Sequence, residues 1–241
     1  MKTIIFNCDD LGLSEGVNDA VKKLYAEGIL KSGTTLVNAD KAQEALSYFP
    51  KLEDFSCGIH FCLTFGKTSS EALKHIVDEK GNFKSQLEVL ELLDKEEEED
   101  ILEELESQLK KFLELSNGVN PSHIDSHHHI HQHPKVEKAV IKIALRLGVS
   151  VRSANGKSQE KNGVFFHPFV VDFYNLFDID KLISILKDSE NFSDVMAHPS
   201  SINDVENISS YNQKRVDEFE FLLGNKKEIL ENFKIGNLKG D

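Results

Sequence analysis

Short apolar stretches alternate with amphipathic stretches along most of the chain, and their lengths are those of strands and helices. Thr3–Cys8 is a mostly apolar run, typical of a buried strand. Ser14–Glu27 follows with hydrophobic residues at helical spacing, and Gly28 behind it is a common helix stop. Further predicted strands are Thr34–Asn38, Cys57–Leu63, Ser122–Ser126, Val149–Arg152, Val164–His167 and Asp194–Ala197, and further predicted helices are Lys41–Tyr48, Pro134–Leu147, Ile179–Lys187 and Gln213–Leu223.

Repeated strand-then-helix units favour a parallel sheet with helices packed outside it. The chain has 241 residues, close to the size of about 250 residues that a single α/β barrel needs. No sequence repeat and no linker rich in Pro, Gly or Ser divides it. We therefore predict an α/β fold that forms one domain over residues 1–241.

The net charge of −13 is concentrated in one segment. Between Glu88 and Glu106, eleven acidic residues stand against Lys95 alone. Apolar residues from Ile101 to Leu113 recur there at helical spacing, which predicts a long amphipathic helix with a solvated acidic face. The acidic balance argues against binding to nucleic acid, which needs clustered Lys and Arg.

Three further features indicate a cytoplasmic protein. No apolar run approaches the roughly 20 residues that span a bilayer, so we expect no membrane association. The N-terminus reaches Asp9 and Asp10 after one short apolar run, which is unlike a secretory signal peptide. Cys8, Cys57 and Cys62 have the spacing of neither a disulfide framework nor a structural zinc site.

Polar residues cluster where the predicted strands end. In barrels and in open α/β sheets alike, the carboxyl ends of the strands form the active-site face. A random scatter of charged residues would instead fall mostly on helices. The polar residues placed at, in or directly after the strands are Asp9, Asp10, Asn38, His60, Asp125, His127, Arg152 and His198.

The segment 122–134 holds six of the ten histidines and joins a predicted strand to a predicted helix. A solvated polar turn is the simplest interpretation, but a cluster of imidazoles at a strand end also suits a metal ion. Consecutive strand residues point to opposite faces, so at most two or three of these side chains converge.

Asp9 and Asp10 close the first strand, and their chemistry allows two different roles. One carboxylate can bind a metal while its neighbour accepts a proton; the alternative is a turn or N-cap pair ahead of the next helix. His60 stands alone in an apolar strand, where a core histidine is the ordinary interpretation. With Asp10 and His127 as partners, it completes an Asp-plus-two-His set that is common for catalytic divalent metals.

Arginine is scarce, with three residues against 25 Lys. Arg152 ends a strand, where its planar set of donors would suit a carboxylate, although an ordinary surface Arg stays an alternative. His198 ends the last strand and precedes Pro199, which holds its backbone extended. It suits a general acid or a structural cap.

The chain resembles the YdjC/ChbG-like carbohydrate deacetylases, which are distant relatives of the polysaccharide deacetylases. Order and spacing of the motifs agree across nearly the whole chain. The chain departs from the family pattern at Leu11, usually Phe, and at Cys8, commonly Ala. The matching stretches are Asn7–Ser14, Lys31–Asn38, Gly58–Gly66, Pro121–His131, Val151–Arg152 and His198–Pro199.

The resemblance implies a TIM-like (β/α) barrel, often irregular, that holds one divalent ion and removes an N-acetyl group from an amino sugar or short chitooligosaccharide. Asp10, His60 and His127 would be the metal ligands, Asp9 the general base and His198 the general acid. The family suggests Mg²⁺, whereas two imidazole ligands suit Zn²⁺ or another transition metal. Residues expected beside the substrate or behind the ligands are Asn38, Asp125, His131 and Arg152.

Several alternatives stay open at this point. The spacing His127-x-x-x-His131 resembles the paired metal histidines of the wider polysaccharide deacetylase group, which makes His131 a rival ligand. The same barrel could serve another metallohydrolase, such as an amidohydrolase or a phosphoesterase. A non-catalytic metal-binding or carbohydrate-binding protein is a further alternative. The oligomeric state is open, and a homodimer would be the commonest one.

Overall fold

The computed structural model describes residues 1–170, 177–205 and 211–239. Its strands belong to one sheet and its helices lie between them along the chain. The strands are β1 Lys2–Leu11, β2 Ser32–Thr35, β3 Ser56–Phe61, β4 His123–Ser126, β5 Ser150–Arg152, β6 Gln159–Lys161, β7 Val164–His167, β8 Phe169–Val170, β9 Ser193–Ala197 and β10 Phe233–Ile235. The helices are α1 Glu15–Ala26, α2 Ala42–Tyr48, α3 Gln86–Leu92, α4 Glu98–Leu115, α5 Pro134–Leu147, α6 Ile179–Asp188, α7 Asn212–Gly224 and α8 Lys226–Asn232.

Local sequence explains why these helices begin and end where they do. The Ser14 hydroxyl accepts a hydrogen bond from the Val17 N–H and caps α1. Pro134 opens α5, and Gly148 closes it with a left-handed φ of 68°. In the described part of the chain, no helix has both the length and the apolar character that crossing a membrane requires.

The sheet is mostly parallel and strongly curled. Its strand order is β6-β7-β5-β4-β3-β2-β1-β9-β8, with β10 added beside β1, and the β6–β7 pair alone is antiparallel among the described ladders. Arg152 on β5 and Asp194 on β9 lie five strands apart in this order, yet Arg152 Nε is 2.7 Å from Asp194 Oδ2. Only a sheet that curls around an interior brings these two side chains together.

Closure of the sheet into the predicted TIM-like barrel is not confirmed. Among the described residues, no ladder joins β6 to β8, the two ends of the strand order. The α/β class and the parallel strand-helix units are confirmed, in the form of a curled half-barrel sheet.

Some boundaries differ from the predicted ones. Asp9 and Asp10 belong to β1 instead of following it, because β1 extends to Leu11. β2 ends at Thr35, so Asn38 lies beyond the strand instead of closing it.

The acidic segment is not a single helix with a solvated face. It is divided into α3 and α4, and Glu96 and Glu104 are buried. Glu96 Oε1 accepts hydrogen bonds from three consecutive backbone N–H groups, those of residues 74–76. Glu104 accepts from the N–H groups of Ser69 and Ser70. These two carboxylates therefore hold the loop between β3 and α3 against the helices.

Candidate active site

The end of β1 departs from regular strand geometry. On a regular strand, Asp9 and Asp10 would point to opposite faces. Asp10 instead has a left-handed backbone with φ of 61°, and the β1–β2 ladder shifts register between Cys8 and Leu11. Both carboxylates consequently face one cavity of about 490 Å³. This central cavity is lined, among others, by Asp9, Asp10, His60, His127, His198 and Arg215.

Two residues of the histidine run after β4 also have a left-handed backbone. His128 and His129 have φ of 53° and 54°, so strand alternation is broken and they line the central cavity together with His127. His128 Nδ1 lies 2.9 Å from the Thr64 hydroxyl, which ties this turn to the loop after β3. Left-handed residues other than glycine are uncommon and concentrate at functional sites.

Asp10 is the centre of a group of polar contacts. Its Oδ1 lies 2.8 Å from His127 Nδ1 and 3.3 Å from His60 Nε2. Its Oδ2 accepts a hydrogen bond of 2.5 Å from Arg215 Nη2. Burial would raise the pKa of Asp10, but His127 and Arg215 hold it well below its usual range. Asp10 is therefore ionised in the folded protein.

Asp125 and Thr34 hold His60 from behind. His60 Nδ1 lies 2.6 Å from Asp125 Oδ1, and the Thr34 hydroxyl donates to Asp125 Oδ2 at 2.9 Å. With Nδ1 engaged, the other ring nitrogen of His60 is directed toward Asp10. Burial would lower the pKa of His60, but the carboxylates of Asp125 and Asp10 raise it to about 10. A proton on His60 accordingly compensates part of the negative charge of the cavity.

Asp9 forms a bidentate pair with Arg152. Arg152 Nη1 and Nη2 donate to the two Asp9 oxygens at 2.6 and 2.7 Å, and both side chains are buried. Burial would raise the pKa of Asp9, but the guanidinium outweighs burial and holds the pKa well below its usual range. Asp9 is thus kept ionised by a fixed cation, as the fixed donors of an arginine at this strand end predict.

His198 follows β9 at the wall of the central cavity. Its backbone N–H donates to Glu218 Oε2 at 2.6 Å, and its ring contacts Tyr211 with centroids 4.9 Å apart. Its Nδ1 is buried and has no hydrogen-bond partner within the described residues. Burial, with a smaller contribution from Arg215, lowers the pKa of His198 to about 3. The imidazole is therefore neutral at physiological pH.

Two other predicted site residues lie outside this group. His131 is buried, with Nδ1 2.6 Å from the Ser126 hydroxyl and Nε2 3.1 Å from the Arg152 carbonyl oxygen. Both of its ring nitrogens are engaged by these contacts. Asn38 Nδ2 donates to the Phe65 carbonyl oxygen at 2.6 Å, so Asn38 supports the loop that carries Phe65 instead of facing the central cavity.

Arg215 is a further residue of the site, and the sequence pattern does not predict it. It lies on α7, is buried, and pairs with Asp10 across 205 positions of sequence. No motif marks it, because the pairing depends on how α7 packs. The scarcity of arginine was the available signal: two of the three arginines contact Asp9 or Asp10.

The central cavity has a donor set that suits a divalent cation. One ligand atom from each of Asp10, His60 and His127 lies within 4.8 Å of the others. A carboxylate with two imidazoles is a common set for such an ion. Negative charge is also in excess, because the buried carboxylates at the site outnumber the two buried guanidinium groups. These carboxylates are Asp9, Asp10, Asp125, Asp194 and Glu218.

A second group, Asp9, His60 and Asp125, has ligand atoms within the same 4.8 Å. A guanidinium already serves two of its members, because Arg152 Nη1 is 2.6 Å from Asp9 and Nη2 is 2.9 Å from Asp125. The group around Asp10 is therefore the better fit for a metal ion.

Known proteins resemble this chain over nearly its whole length. A family model described as YdjC-like protein matches residues 3–231. The carbohydrate deacetylase of Thermoanaerobacter pseudethanolicus is 36% identical over 246 residues, which covers 99% of this chain and 96% of the relative. A proposed cellobiose-phosphate cleavage protein of Enterococcus faecalis has a similar crystal structure, with a TM-score of 0.83, 24% identity and coverage of 98% and 97%. A family 4 carbohydrate esterase of Streptomyces lividans shares the fold with a TM-score of 0.51, 9% identity and coverage of 98% and 91%. By the family model and by its identity to curated relatives, the chain belongs to the YdjC-like family.

Proposed function

We propose that this protein is a metal-dependent carbohydrate deacetylase, which hydrolyses the N-acetyl group of an amino sugar to acetate and a free amine. One observation carries the proposal: adjacent carboxylates face one cavity, Asp10 among imidazoles and Asp9 on a guanidinium. Asp10 would thus supply a metal ligand, and Asp9 would supply a proton acceptor. Relatives in two bacterial species that the chain matches at 36% and 32% identity are named carbohydrate deacetylases, which supports the same activity.

Asp10, His60 and His127 would hold the divalent ion. When bound, such an ion polarises an amide carbonyl and lowers the pKa of water. Asp125 orients His60, and Arg215 occupies the second oxygen of Asp10, which leaves Oδ1 for the ion. The family resemblance suggests Mg²⁺, whereas two imidazole nitrogens favour Zn²⁺ or another transition ion.

Asp9 is the proposed general base, and it takes a proton from the water that attacks the acetyl carbon. Its pairing with Arg152 keeps it ionised and fixes the direction of its oxygens. A carboxylate with so low a pKa is a weak base, so the transfer depends on the attacking water being acidified.

His198 is the proposed general acid, and it protonates the departing amine as the C–N bond breaks. Its pKa of about 3 means that it holds a proton only weakly. Because His198 is neutral before the reaction, the proton that it donates is the one that Asp9 takes from the attacking water. His198 passes this proton on easily to the amine, which is the stronger base.

A small acetylated sugar is the proposed substrate. A cavity of about 490 Å³ lies within the range of small-molecule sites. Phe65 and Tyr211 present aromatic surface at its wall, which suits the apolar faces of a sugar ring. An N-acetylated monosaccharide or a short chitooligosaccharide fits these features.

The proposal is tested by mass-spectrometric screening of acetylated sugars for loss of one acetyl group, with and without a chelator. Loss of acetyl that stops with the chelator and returns with added Zn²⁺ or Mg²⁺ is the expected result. Phosphate esters incubated in parallel test the phosphoesterase alternative. Metal-dependent phosphate release without acetate release would contradict the proposal, and absence of any turnover would favour a binding protein.

Neither alternative is favoured by the residues. Amidohydrolases usually carry His-x-His after the first strand, where this chain has Asp9 and Asp10. A protein that only binds a metal or sugar has no need of Asp9 on a buried guanidinium.

The ligand set has a test of its own, with His127→Ala and His131→Ala as a matched pair. We expect His127→Ala to lose bound metal and activity, because one of three protein ligands is removed. His131→Ala should keep its metal, because both nitrogens of His131 contact protein groups. Full metal stoichiometry in His127→Ala would show that the ligand assignment is wrong. Metal loss in His131→Ala would show instead that the rival pairing with His131 is correct.

A further inference from the structure

Asp194 is a fully buried carboxylate that the proposed chemistry does not use. It lies on β9 with an exposed fraction of 0%. Its Oδ2 accepts a hydrogen bond of 2.7 Å from Arg152 Nε and lies 3.4 Å from His167 Nε2. Within the described residues, its Oδ1 has no hydrogen-bond partner. A buried carboxylate oxygen without a partner costs folding free energy, so stability alone does not account for Asp194.

Arg152 links Asp194 to the reaction centre. Its Nη1 and Nη2 hold the two oxygens of Asp9, and Nη2 also lies 2.9 Å from Asp125 Oδ2. The third nitrogen, Nε, donates to Asp194. A guanidinium is rigid and planar, so a partner at Nε fixes the direction in which both Nη atoms point.

Neutralising the charge of Arg152 does not require Asp194. Asp9 and Asp125 already place two carboxylates on one guanidinium, and a third adds repulsion among buried charges. Asp194 is the residue that contacts Arg152 Nε, and this contact fixes the orientation of the guanidinium.

Asp194 is itself held by a second side chain. The Ser150 hydroxyl lies 3.0 Å from His167 Nδ1, so the ring of His167 has a partner on each nitrogen. This places His167 Nε2 beside Asp194 Oδ2 in a fixed orientation. The contacts thus form a series that begins at the half-buried Ser150 and continues through the buried side chains of His167, Asp194 and Arg152 to Asp9.

We propose that Asp194 is a positioning residue, which fixes the plane of Arg152 so that Arg152 directs the Asp9 oxygens toward the attacking water. His167 fixes Asp194 in turn. The inference rests on the proposed deacetylation, in which Asp9 accepts a proton. Misplacement of a reacting group by about 1 Å costs about 10²-fold in rate, so the contact acts on kcat and leaves substrate binding alone.

The test compares Asp194→Ala and Asp194→Asn, using the acetylated sugar that the wild type deacetylates. Asp194→Ala should lower kcat about 10- to 100-fold with KM changed by less than about twofold. Asp194→Asn should retain more of kcat than Asp194→Ala, because its amide oxygen can still accept from Arg152 Nε.

Glu96→Gln is the matched control. Glu96 is an equally buried carboxylate, but it bonds backbone N–H groups outside the central cavity. The Glu96→Gln substitution should lower the melting temperature and leave kcat per folded molecule unchanged. If Asp194→Ala behaves in the same way as Glu96→Gln, Asp194 is merely structural and the inference is overturned.

A second variant and a second readout keep the inference testable on its own. If Asp194→Ala does not fold, His167→Phe removes the ring nitrogen beside Asp194 and should lower kcat by about threefold at unchanged KM. In a crystal structure of either variant, Arg152 should lose at least one of its two contacts with Asp9. An unchanged bidentate pair would overturn the inference even if the wild type releases no acetate, an outcome that would separately contradict the proposed function.

Discussion

Two parts of the molecule bury carboxylates, and they do so with opposite kinds of partner. At the end of β1, Asp9 and Asp10 are paired with guanidinium and imidazole groups. Beside α4, Glu96 and Glu104 are equally buried but accept hydrogen bonds from backbone N–H groups and neutral side chains. The buried Asp residues at the end of β1 thus have charged partners, whereas the buried Glu residues beside α4 have neutral ones.

The difference indicates what each region can do. An imidazole beside a carboxylate can give up its proton to a metal ion, whereas a guanidinium keeps its charge and holds the carboxylate ionised. A carboxylate held by backbone N–H groups cannot exchange its donors without unfolding the loop that supplies them. Charged partners therefore indicate chemistry at the strand ends, and neutral donors indicate scaffolding beside α4.

The largest effect is expected for Asp10→Asn, which removes the central charge of the proposed metal group. A neutral amide oxygen is a poorer ligand for a divalent ion, so bound metal and turnover should be lost together. The loss of kcat should reach about 10³-fold, because the electrostatic contribution of the ion disappears. Metal analysis and kcat on the same preparation check this. Full metal stoichiometry in Asp10→Asn would show that Asp10 is not a ligand.

Asp9→Asn should separate turnover from metal binding. The amide cannot accept a proton, so kcat should fall by about 10²-fold or more. The metal should stay, because Asp9 is engaged by Arg152 and is not one of the proposed ligands. An intact acetylated sugar should still bind, which calorimetry can measure. Near-wild-type kcat in this variant would exclude Asp9 as the base and leave it a turn carboxylate.

Regular elements are predictable from the sequence where the hydrophobic period is unbroken. α5 and β7 begin and end at the predicted residues, Pro134–Leu147 and Val164–His167. The short elements β6, β8, β10 and α8 do not emerge from the pattern, because two to seven residues contain too little period to recognise. The hydrophobic pattern also does not predict whether the sheet closes, because closure depends on contacts between strands that are distant in sequence.

The candidate site, too, is only partly predictable from the sequence. Residue types at strand ends predict that Asp10, His60 and His127 lie near one another, and the structure brings them together. The left-handed backbone that turns Asp10 beside Asp9 has no local signal, because the conformation is imposed by packing. Arg215 is missed for a related reason, since a helix packed from 205 residues away supplies it.

Binding of the ion should release about one proton, because His60 carries a proton in the metal-free protein. Its pKa is raised to about 10, so below that pH the ion must displace the proton, and affinity should fall about tenfold per pH unit as pH decreases. Calorimetric titration with Zn²⁺ near neutral pH, in buffers of different ionisation enthalpy, measures the released proton. Asp125→Asn is the control, since removing the carboxylate that raises the pKa of His60 should reduce proton release. Equal release from both proteins would contradict the assignment.

The smallest effect is expected on the scaffolding side, from Glu96→Gln. The side-chain amide presents N–H groups or a weaker acceptor to the three backbone donors of residues 74–76, so the free energy of unfolding should fall by about 2 kcal/mol. Glu97→Gln is the matched control, because Glu97 is exposed and should change stability by less than about 0.5 kcal/mol. Denaturant melts measure both, and kcat per folded molecule should match the wild type in each. A fall in kcat in Glu96→Gln, beyond the loss of folded protein, would mean that the loop held by Glu96 takes part in the reaction. The distinction between carboxylates with charged partners and carboxylates with neutral partners would then fail to separate chemistry from scaffolding.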